Sequence, residues 1–181
     1  MTATISITQD QMVDDLISFL TQTVTVTDCR ISQQNRIPMP TGNYIIMTPM
    51  GPIGLSTNRI DYQADPTTLS GSQLTSRTTE WRCQLDFYGD AAQENANIIA
   101  TMTRSEYACE IFRAGTSGIV PFYCTDPFQN TMVNGEDQFE NRYTCEFHAQ
   151  INPIITTSME FFNSVNIVTK EVDATFPPEN S

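Results

Sequence analysis

The sequence predicts an α+β domain in which a mainly antiparallel sheet of about four to six strands carries two helices on one face. Several segments alternate apolar and polar residues, a period typical of strands with one buried face. Two other segments place apolar residues at helical spacing behind N-terminal capping signals. The chain has 181 residues, the size of one domain. We therefore expect a single domain over 1–181, with extended or frayed ends at 1–7 and 174–181.

The first helix is predicted over residues 9–22. Thr8 and Gln11 stand at the Ncap and N3 positions of a capping box, in which each side chain satisfies a free backbone N–H at the start of the helix. Apolar residues then recur at helical spacing from Met12 to Leu20. This pattern indicates a helix with one buried face.

The segments that follow are predicted to be strands joined by loops. Two polar segments that contain proline, 33–41 and 63–76, are predicted to be loops, the second a long mobile connection. The tetrapeptide Gly51–Gly54 is predicted to be a turn between two strands. The strands themselves are expected at 24–31, 44–48 and 53–62.

The clearest strand patterns lie later in the chain. Residues 81–88 and 143–152 each alternate apolar and polar side chains in strict order. The second stretch is the longest of this kind, which predicts a central or long strand.

A second helix is predicted between these two strands. Asp90 and Gln93 form a possible capping box at its start. The helix is expected to continue or kink near residues 104–105 and to end at Gly115, a residue type favoured just after a helix.

The remaining segments carry weaker patterns. Residues 119–125 are predicted to form a short buried strand, in which Pro121 indicates an edge or a bulge. Residues 126–141 are predicted to form a second long loop. A helical turn is expected at 159–162 and a last strand at 165–172.

The charge of the chain excludes one class of function. There are 21 acidic and 9 basic residues, a net charge of -12, and residues 116–181 alone hold 9 acids against 2 bases. Sequence-independent binding of nucleic acid depends on clustered Lys and Arg. A chain with this balance repels phosphate backbones.

The five cysteines indicate a reducing compartment. Their number is odd and no two form a CxxC pair, which argues against a disulfide scaffold and against a zinc ribbon. Cys83 and Cys145 fall in register with apolar neighbours, so we expect them to be small core side chains. The N-terminus lacks the regions of a secretory signal and no apolar run has the length of a membrane span. We expect the protein to be made and assembled in the cytosol.

No catalytic or metal-binding constellation stands out. His148 is the only histidine, and a mechanism of the Ser-His-Asp or Cys-His type would have to use it. We expect it on a solvated or subunit-facing strand surface. The acidic cluster Glu136, Asp137 and Glu140 lacks the spacing of an EF-hand loop. We therefore predict no cofactor and no metal, and an assembly or interaction protein rather than an enzyme.

Three longer segments carry a family resemblance. They are NRIPMPTGNYIIMTPMGPIGLSTN at 35–58, QLDFYGDAAQENANIIATMTRSEYAC at 84–109 and VPFYCTDPFQNTMVNGEDQFENRYTCEFHAQINPIITT at 120–157. They combine LDFYG before a capped helix, YAC within it, and DP and NGE turns before a long strand. This combination resembles the tail terminator (neck terminator) proteins of long-tailed bacteriophages.

The resemblance implies a structural virion protein that forms a ring, usually a hexamer, at the head-proximal end of the tail tube. The ring ends tube polymerisation and joins the tail to the head connector. The implied partners are other copies of the chain, the tail tube protein, the head-side connector or stopper protein, and a sheath protein if the tail is contractile. DNA would pass through the lumen without specific binding, and no membrane would be involved. The implied location is the tail and neck of the virion, after assembly in the host cytoplasm.

We expect the contacts with partners on the long loops, since long loops inside a domain usually carry function. These loops are 36–41, 63–76 and 127–142. In the first loop, Ile37 and Met39 alternate with prolines and form a pre-ordered apolar tip. The candidate interface residues are Arg36, Ile37, Pro38, Met39, Pro40, Asn134, Gly135, Glu136, Asp137 and Arg142.

Three alternatives stay open on the sequence alone. The first is another neck component, such as a head-completion or stopper protein. The second is a small soluble binding module with a small-molecule pocket. The third is a hydrolase that uses His148.

Overall fold

Three helices and two sheets make up the fold. The computed structural model describes residues 2–34, 37–65, 70–133, 139–160 and 166–169. The helices are α1 (Gln9–Thr23), α2 (Ala92–Met102) and α3 (Glu106–Ala114). The strands are β1 (Thr4–Ile5), β2 (Asp28–Ile31), β3 (Tyr44–Gly54), β4 (Arg59–Ala64), β5 (Ser70–Ser76), β6 (Thr79–Tyr88), β7 (Val120–Cys124), β8 (Phe128–Val133), β9 (Phe139–Ile151) and β10 (Ile154–Glu160). Among the described strands only the pairing of β2 with β3 is parallel, which confirms the predicted α+β class.

One long antiparallel ribbon joins the two sheets. Within it β6 pairs with β9, and Thr79 lies opposite Ile151. Beyond a short break β5 pairs with β10, and Ser76 lies opposite Ile154. Ser76 and Thr79 are three residues apart, and so are their partners Ile154 and Ile151. The register is therefore the same in the two sheets. Pro153, which has no N–H to donate to a ladder, lies in the break. We call β5–β6 paired with β9–β10 the ribbon.

The six-stranded sheet has the order β2-β3-β6-β9-β7, and β8 also pairs with β9. Its inward side chains and the apolar faces of all three helices form one buried core. Helix α2 packs on β6 and β9, α3 packs on β7, and α1 contacts α2, α3 and β2. The inward residues of the ribbon are fully or almost fully buried, as predicted for 81–88 and 143–152; they are Trp81, Cys83, Leu85, Phe87, Cys145, Phe147 and Ala149.

The four-stranded sheet has the order β1-β10-β5-β4. Many of its side chains are exposed, and all six residues of β4 are. This small sheet therefore extends the ribbon past the region that the helices cover.

The predicted core cysteines are confirmed and lie among other thiols. Burial raises the pKa of Cys29 and of Cys83 to about 12. The Sγ atoms of Cys124 and Cys145 lie 3.0 Å apart in a thiol–thiol hydrogen bond, and this contact, together with burial, raises the pKa of the Cys145 thiol. The thiols of Cys29, Cys83 and Cys145 are therefore protonated at neutral pH, as expected of packing side chains.

The first helix forms as predicted. Gln11 N donates to Thr8 Oγ1 at 3.3 Å, and Thr8 N donates to Gln11 Oε1 at 2.9 Å, so both halves of the capping box are present. The helix ends at Thr23, one residue beyond the predicted end.

The predicted capping box at Asp90 and Gln93 is wrong. The Ncap residue of α2 is Ala91, and no side chain of its own caps the helix. The side chain of Asn43 takes this role from another element, because its Oδ1 accepts from Ala91 N at 3.1 Å. Asp90 lies one position too early to reach the free N–H groups of the first turn.

The predicted second helix is two helices. Helix α2 ends at Met102, and Ser105 begins α3, because its hydroxyl accepts from Ala108 N at 3.3 Å in a normal N-cap. The Ser105 hydroxyl also donates to Met102 O at 2.6 Å, which ties the two helices together at the break. Helix α3 then ends before Gly115, as predicted.

Two predicted long loops are hairpins instead. The described residues of 63–76 belong to β4 and β5, which pair with each other, apart from Asp65. Most of the described residues of 126–141 belong to β8 and β9, which also pair. Both segments are polar because they lie outside the helix-covered core, and exposed strands need no apolar alternation.

Several predicted strand ends are also corrected. Gly51–Gly54 is not a turn: it continues β3 past an irregularity between Pro49 and Gly51. Strand β2 begins at Asp28 rather than at Val24, and β4 covers Arg59–Ala64 rather than starting at Ile53. Strand β7 forms close to 119–125, at an edge and with a bulge next to Pro121, as predicted. The prediction that it is buried is wrong, because Val120 and Phe122 are exposed on this edge strand.

The C-terminal predictions are partly wrong and partly outside the described residues. Met159 lies in β10 and not in a helical turn. Residues 166–169 carry no strand. The rest of the predicted helical turn after Glu160, and the remaining residues of 165–172, lie outside the described residues.

A buried carboxylate links the first helix to the chain after α3. Asp15 in α1 is 8% exposed, and it accepts from Thr116 N at 3.2 Å and from Ser117 N at 2.8 Å. The Ser117 hydroxyl also donates to it. A Cβ at Gly115 would lie 2.5 Å from this carboxyl group, so the close approach requires glycine there.

We expect Asp15→Ala to lower the free energy of unfolding by about 2–3 kcal/mol, because it leaves the buried N–H and hydroxyl of Ser117 and the part-buried N–H of Thr116 without their partner. The measurement is denaturant unfolding followed by circular dichroism. The control is Asp14→Ala, one residue earlier on the exposed side of the same helix. Equal stability of the two variants would contradict this role for Asp15.

Candidate assembly interface

Two of the predicted interface loops meet at one groove. The segment 39–44 forms one wall, and the β8–β9 hairpin forms the other. Gly89 and Asp90, just after the ribbon strand β6, also line the groove, whose volume is about 770 Å³. The remaining lining residues come from the hairpin: Met132, Val133, Phe139, Glu140 and Asn141. We call this feature the groove.

The groove carries exposed apolar side chains on both walls. Phe139 is 80% exposed, Met39 56% and Val133 49%. Ile37, next to the groove in the first loop, is 49% exposed. Clustered apolar side chains at the surface are typical of contact sites for other proteins. The arrangement therefore provides a surface to which a protein partner can bind.

The first loop is held in place by its neighbour β2. Thr27 Oγ1 lies 2.9 Å from both Thr41 O and Asn43 O. Arg30 Nη1 donates to Pro38 O at 3.4 Å. Gly42 has a φ of 82°, a conformation that glycine adopts without strain. The exposed apolar tip thus stands on an ordered base, which lowers the entropic cost of binding.

Behind the groove lies a pair of stacked tyrosines at the end of the ribbon. The rings of Tyr44 and Tyr88 stack with centroids 4.6 Å apart. Burial raises the pKa of Tyr44 to about 12 and also raises the pKa of Tyr88. The guanidinium of Arg142 lies 5.8 Å from the ring centre of Tyr88. These contacts fix the base of the groove.

Arg142 is the one predicted interface residue that the structure places in a buried network. Its Nη2 lies 3.0 Å from Asp86 Oδ1, and Asp86 is 3% exposed. Thr144 Oγ1 donates to the same oxygen at 2.6 Å, and Gln84 Nε2 donates to the other oxygen of Asp86 at 2.9 Å. The network lies on the face of the six-stranded sheet that the helices do not cover. Arg142 therefore stabilises the sheet behind the hairpin.

His148 lies on the same uncovered face but is not solvated. It is 7% exposed, its Nδ1 lies 2.7 Å from Glu80 Oε1, and its ring stacks on Tyr123 with centroids 4.3 Å apart. Its Nε2 lies 3.6 Å from Glu146 Oε2, beyond hydrogen-bond distance. The expectation of a solvated imidazole is wrong, and the alternative of a subunit-facing imidazole stays a prediction. The ring is a packed and hydrogen-bonded part of the sheet.

The remaining predicted site residues are placed as follows. Ile37, Pro38, Met39 and Pro40 lie in the first loop, and Met39 and Pro40 line the groove. Arg36 and Asn134–Asp137 lie outside the described residues. The sequence analysis missed Phe139, the most exposed aromatic of the groove. The Asn134–Gly135 pair between two segments rich in β-forming residues is a hairpin signal, and it would have placed Phe139 near the tip.

No group of three or more His, Cys, Asp or Glu side chains among the described residues is arranged to hold a metal ion. No helix in the described part of the chain combines the length and apolar character needed to cross a membrane.

The fold and the groove define a class of protein: an α+β platform with an ordered apolar contact surface, suited to assembly. The particular family follows from comparison with known proteins, in which the family model described as "Phage neck terminator protein" matches residues 10–173. The chain belongs to this family, and its role is structural, in the neck and tail of a phage. Among curated proteins, none matches the chain.

We expect Arg142→Gln to lower the free energy of unfolding by about 1–3 kcal/mol, because Asp86 loses its charged partner in a buried network. The control is Arg59→Gln, since Arg59 pairs with Asp61 on the surface with 77% of its side chain exposed. Loss of such a surface pair costs at most about 1 kcal/mol. Urea unfolding of both variants measures the difference, and an unchanged midpoint for Arg142→Gln would show that the network does not stabilise the fold.

Proposed function

We propose that the chain forms a hexameric ring at the head-proximal end of the tail tube, ends tube polymerisation and joins the tail to the head connector. The observation that carries the proposal is the groove, where two loops present exposed apolar side chains on an ordered base. Membership of the neck terminator family supports this position in the virion. The chain acts as a single domain and as a binding protein, not as an enzyme.

A ring of this kind needs more than one contact surface. Each copy contacts a neighbour on either side, the tail tube protein below and the connector or stopper protein above. In a contractile tail a sheath protein is a further partner. The groove at one end of the ribbon and the exposed small sheet at the other supply separate surfaces for these contacts.

The acidity of the chain suits the passage of DNA. Six copies with a net charge of -12 each carry -72. A lumen that lacks clustered Lys and Arg does not retain phosphates, because each such contact releases counterions and adds affinity. We propose that part of the acidic surplus of residues 116–181 lines the lumen, and that the DNA passes without specific binding.

The first test is electron microscopy of particles from a phage that lacks this protein. We expect tubes of uncontrolled length and unattached heads, because no ring stops growth and none offers a docking surface to the connector. Tails of normal length that fail to join heads would contradict termination. That result would favour the alternative of a stopper or head-completion protein.

A second test concerns the groove. We expect Phe139→Asp to keep the fold, since the side chain is 80% exposed. Its incorporation into tails should fall by on the order of tenfold or more, because a charge would replace an apolar contact at the centre of an interface. The measurement is the amount of the protein in purified tails by quantitative mass spectrometry.

The matched control is Ile98→Asp, which places the same charge at an exposed apolar residue of α2, 43% exposed. Circular dichroism and thermal unfolding show that both variants are folded. Normal incorporation of Phe139→Asp, or an equal loss in the control, would show that the groove is not the contact surface.

A further inference from the structure

The two edge strands of the small sheet, β1 and β4, each have a described partner strand on one side only. Strand β4 pairs with β5, and β1 pairs with β10; neither has a second partner among the described strands. An edge strand presents backbone N–H and C=O groups that can pair with another chain. Natural edges are commonly protected by charges, prolines or bulges. Strand β4, with the sequence RIDYQA, has two charged residues and no proline.

An apolar row runs across the sheet and reaches both edges. Ile5 lies opposite Ile155, Ile155 opposite Thr75, and Thr75 opposite Ile60. Ile5 is 55% exposed and Ile60 is 49% exposed. The row therefore ends in an isoleucine at each edge of the small sheet, Ile5 in β1 and Ile60 in β4. Joining the edges would bring these two side chains together as a cross-strand pair.

The small sheet is also a part of the chain where copies can approach each other at low electrostatic cost. Its four strands contain three charged residues, Arg59, Asp61 and Glu160. Since each copy has a net charge of -12, contact between more acidic surfaces would be opposed by like-charge repulsion. This difference in charge favours a second copy of the chain as the occupant of the edges.

The strand directions fit the same conclusion. Each neighbouring pair in the order β1-β10-β5-β4 is antiparallel, so β4 and β1 run in opposite directions. If copies share one orientation, β4 of one copy meets β1 of the next as an antiparallel pair. The two edges are different surfaces, and such head-to-tail contacts close into rings when the rotation between copies allows it.

We propose that β4 of each copy pairs with β1 of its neighbour, with Ile60 opposite Ile5, so that the small sheets form one continuous sheet around the ring. This inference rests on the proposed ring and names the contact that closes it. In this register Asp61 faces Thr4, and its side chain points to the other side of the sheet from Ile60.

Disulfide cross-linking between copies tests the register. The variant carries Ile5→Cys and Ile60→Cys and is examined in tails isolated from assembled particles, under mild oxidation. Side chains directly opposite each other in an antiparallel pair have Cβ atoms about 4.5–5.5 Å apart, close enough for a disulfide after small movements. We expect a ladder of covalent multimers on non-reducing gels, which collapses to the monomer on reduction.

The matched control pairs Ile5→Cys with Asp61→Cys, whose side chains lie on opposite faces of the sheet. We expect no ladder from it, and none from either single substitution at positions 5 and 60. Because the cysteine variants remove two apolar side chains from the contact that they report, hydrogen exchange of the unmodified protein gives a second measurement. The amides of Arg59–Ala64 should exchange on the order of tenfold more slowly in tails than in the free chain.

The outcomes separate this inference from the proposed function. A ring seen by electron microscopy at the end of the tube, without a ladder and without slower exchange in β4, would overturn the edge pairing while the ring stands. A single copy, or no copy, at the tube end would overturn the ring itself and the pairing with it. A ladder from the Asp61→Cys control would show that the proposed register is wrong.

Discussion

The structure depends on the unchanged register of the ribbon. Side chains alternate between the two faces of a strand, so a slip by one residue would turn every inward side chain to the other face. In the covered half, the register places Trp81 and Phe147 in the core under the helices. In the uncovered half, the same register places Ile155 and Thr75 in one row. The helix-covered sheet and the exposed small sheet therefore depend on the same strand register.

The ribbon also separates the groove from the exposed end of the small sheet. The groove adjoins the end at Tyr88 and Arg142, whereas β5 and β10 reach the other end at Ser70 and Glu160. At about 3.3 Å per residue, a fully straight ribbon would hold these ends at most about 60 Å apart. A chain with the groove at one end of this ribbon and the exposed small sheet at the other offers two separate surfaces for partners. This arrangement fits a protein that joins two larger structures.

Sequence patterns predicted the strands that have one face on the helices and the other face away from them. The strands at 81–88 and 143–152 have one face on the helices and one face away from them, so their alternation is strict. Strand β5, SGSQLTS, lies beyond the helices and buries neither face fully. It therefore has no alternation to detect. The cap of α2 was missed for a related reason, since Asn43 is 48 residues away from Ala91 in sequence, and only the folded chain brings them together.

The groove could be predicted only in part for the same physical reason. The two prolines around Met39 indicate an ordered apolar tip within one short segment, and the tip lies at the groove. The opposite wall depends on how β8 folds back along β9, which places Phe139 beside that loop. Both walls carry exposed apolar residues, although Asp90 and Glu140 also line the groove and the chain as a whole is strongly acidic. In the proposed ring, copies with this net charge repel each other at a distance and would gain their binding energy from short-range apolar contacts and backbone pairing. The groove and the edges of the small sheet are the places where this chain offers them.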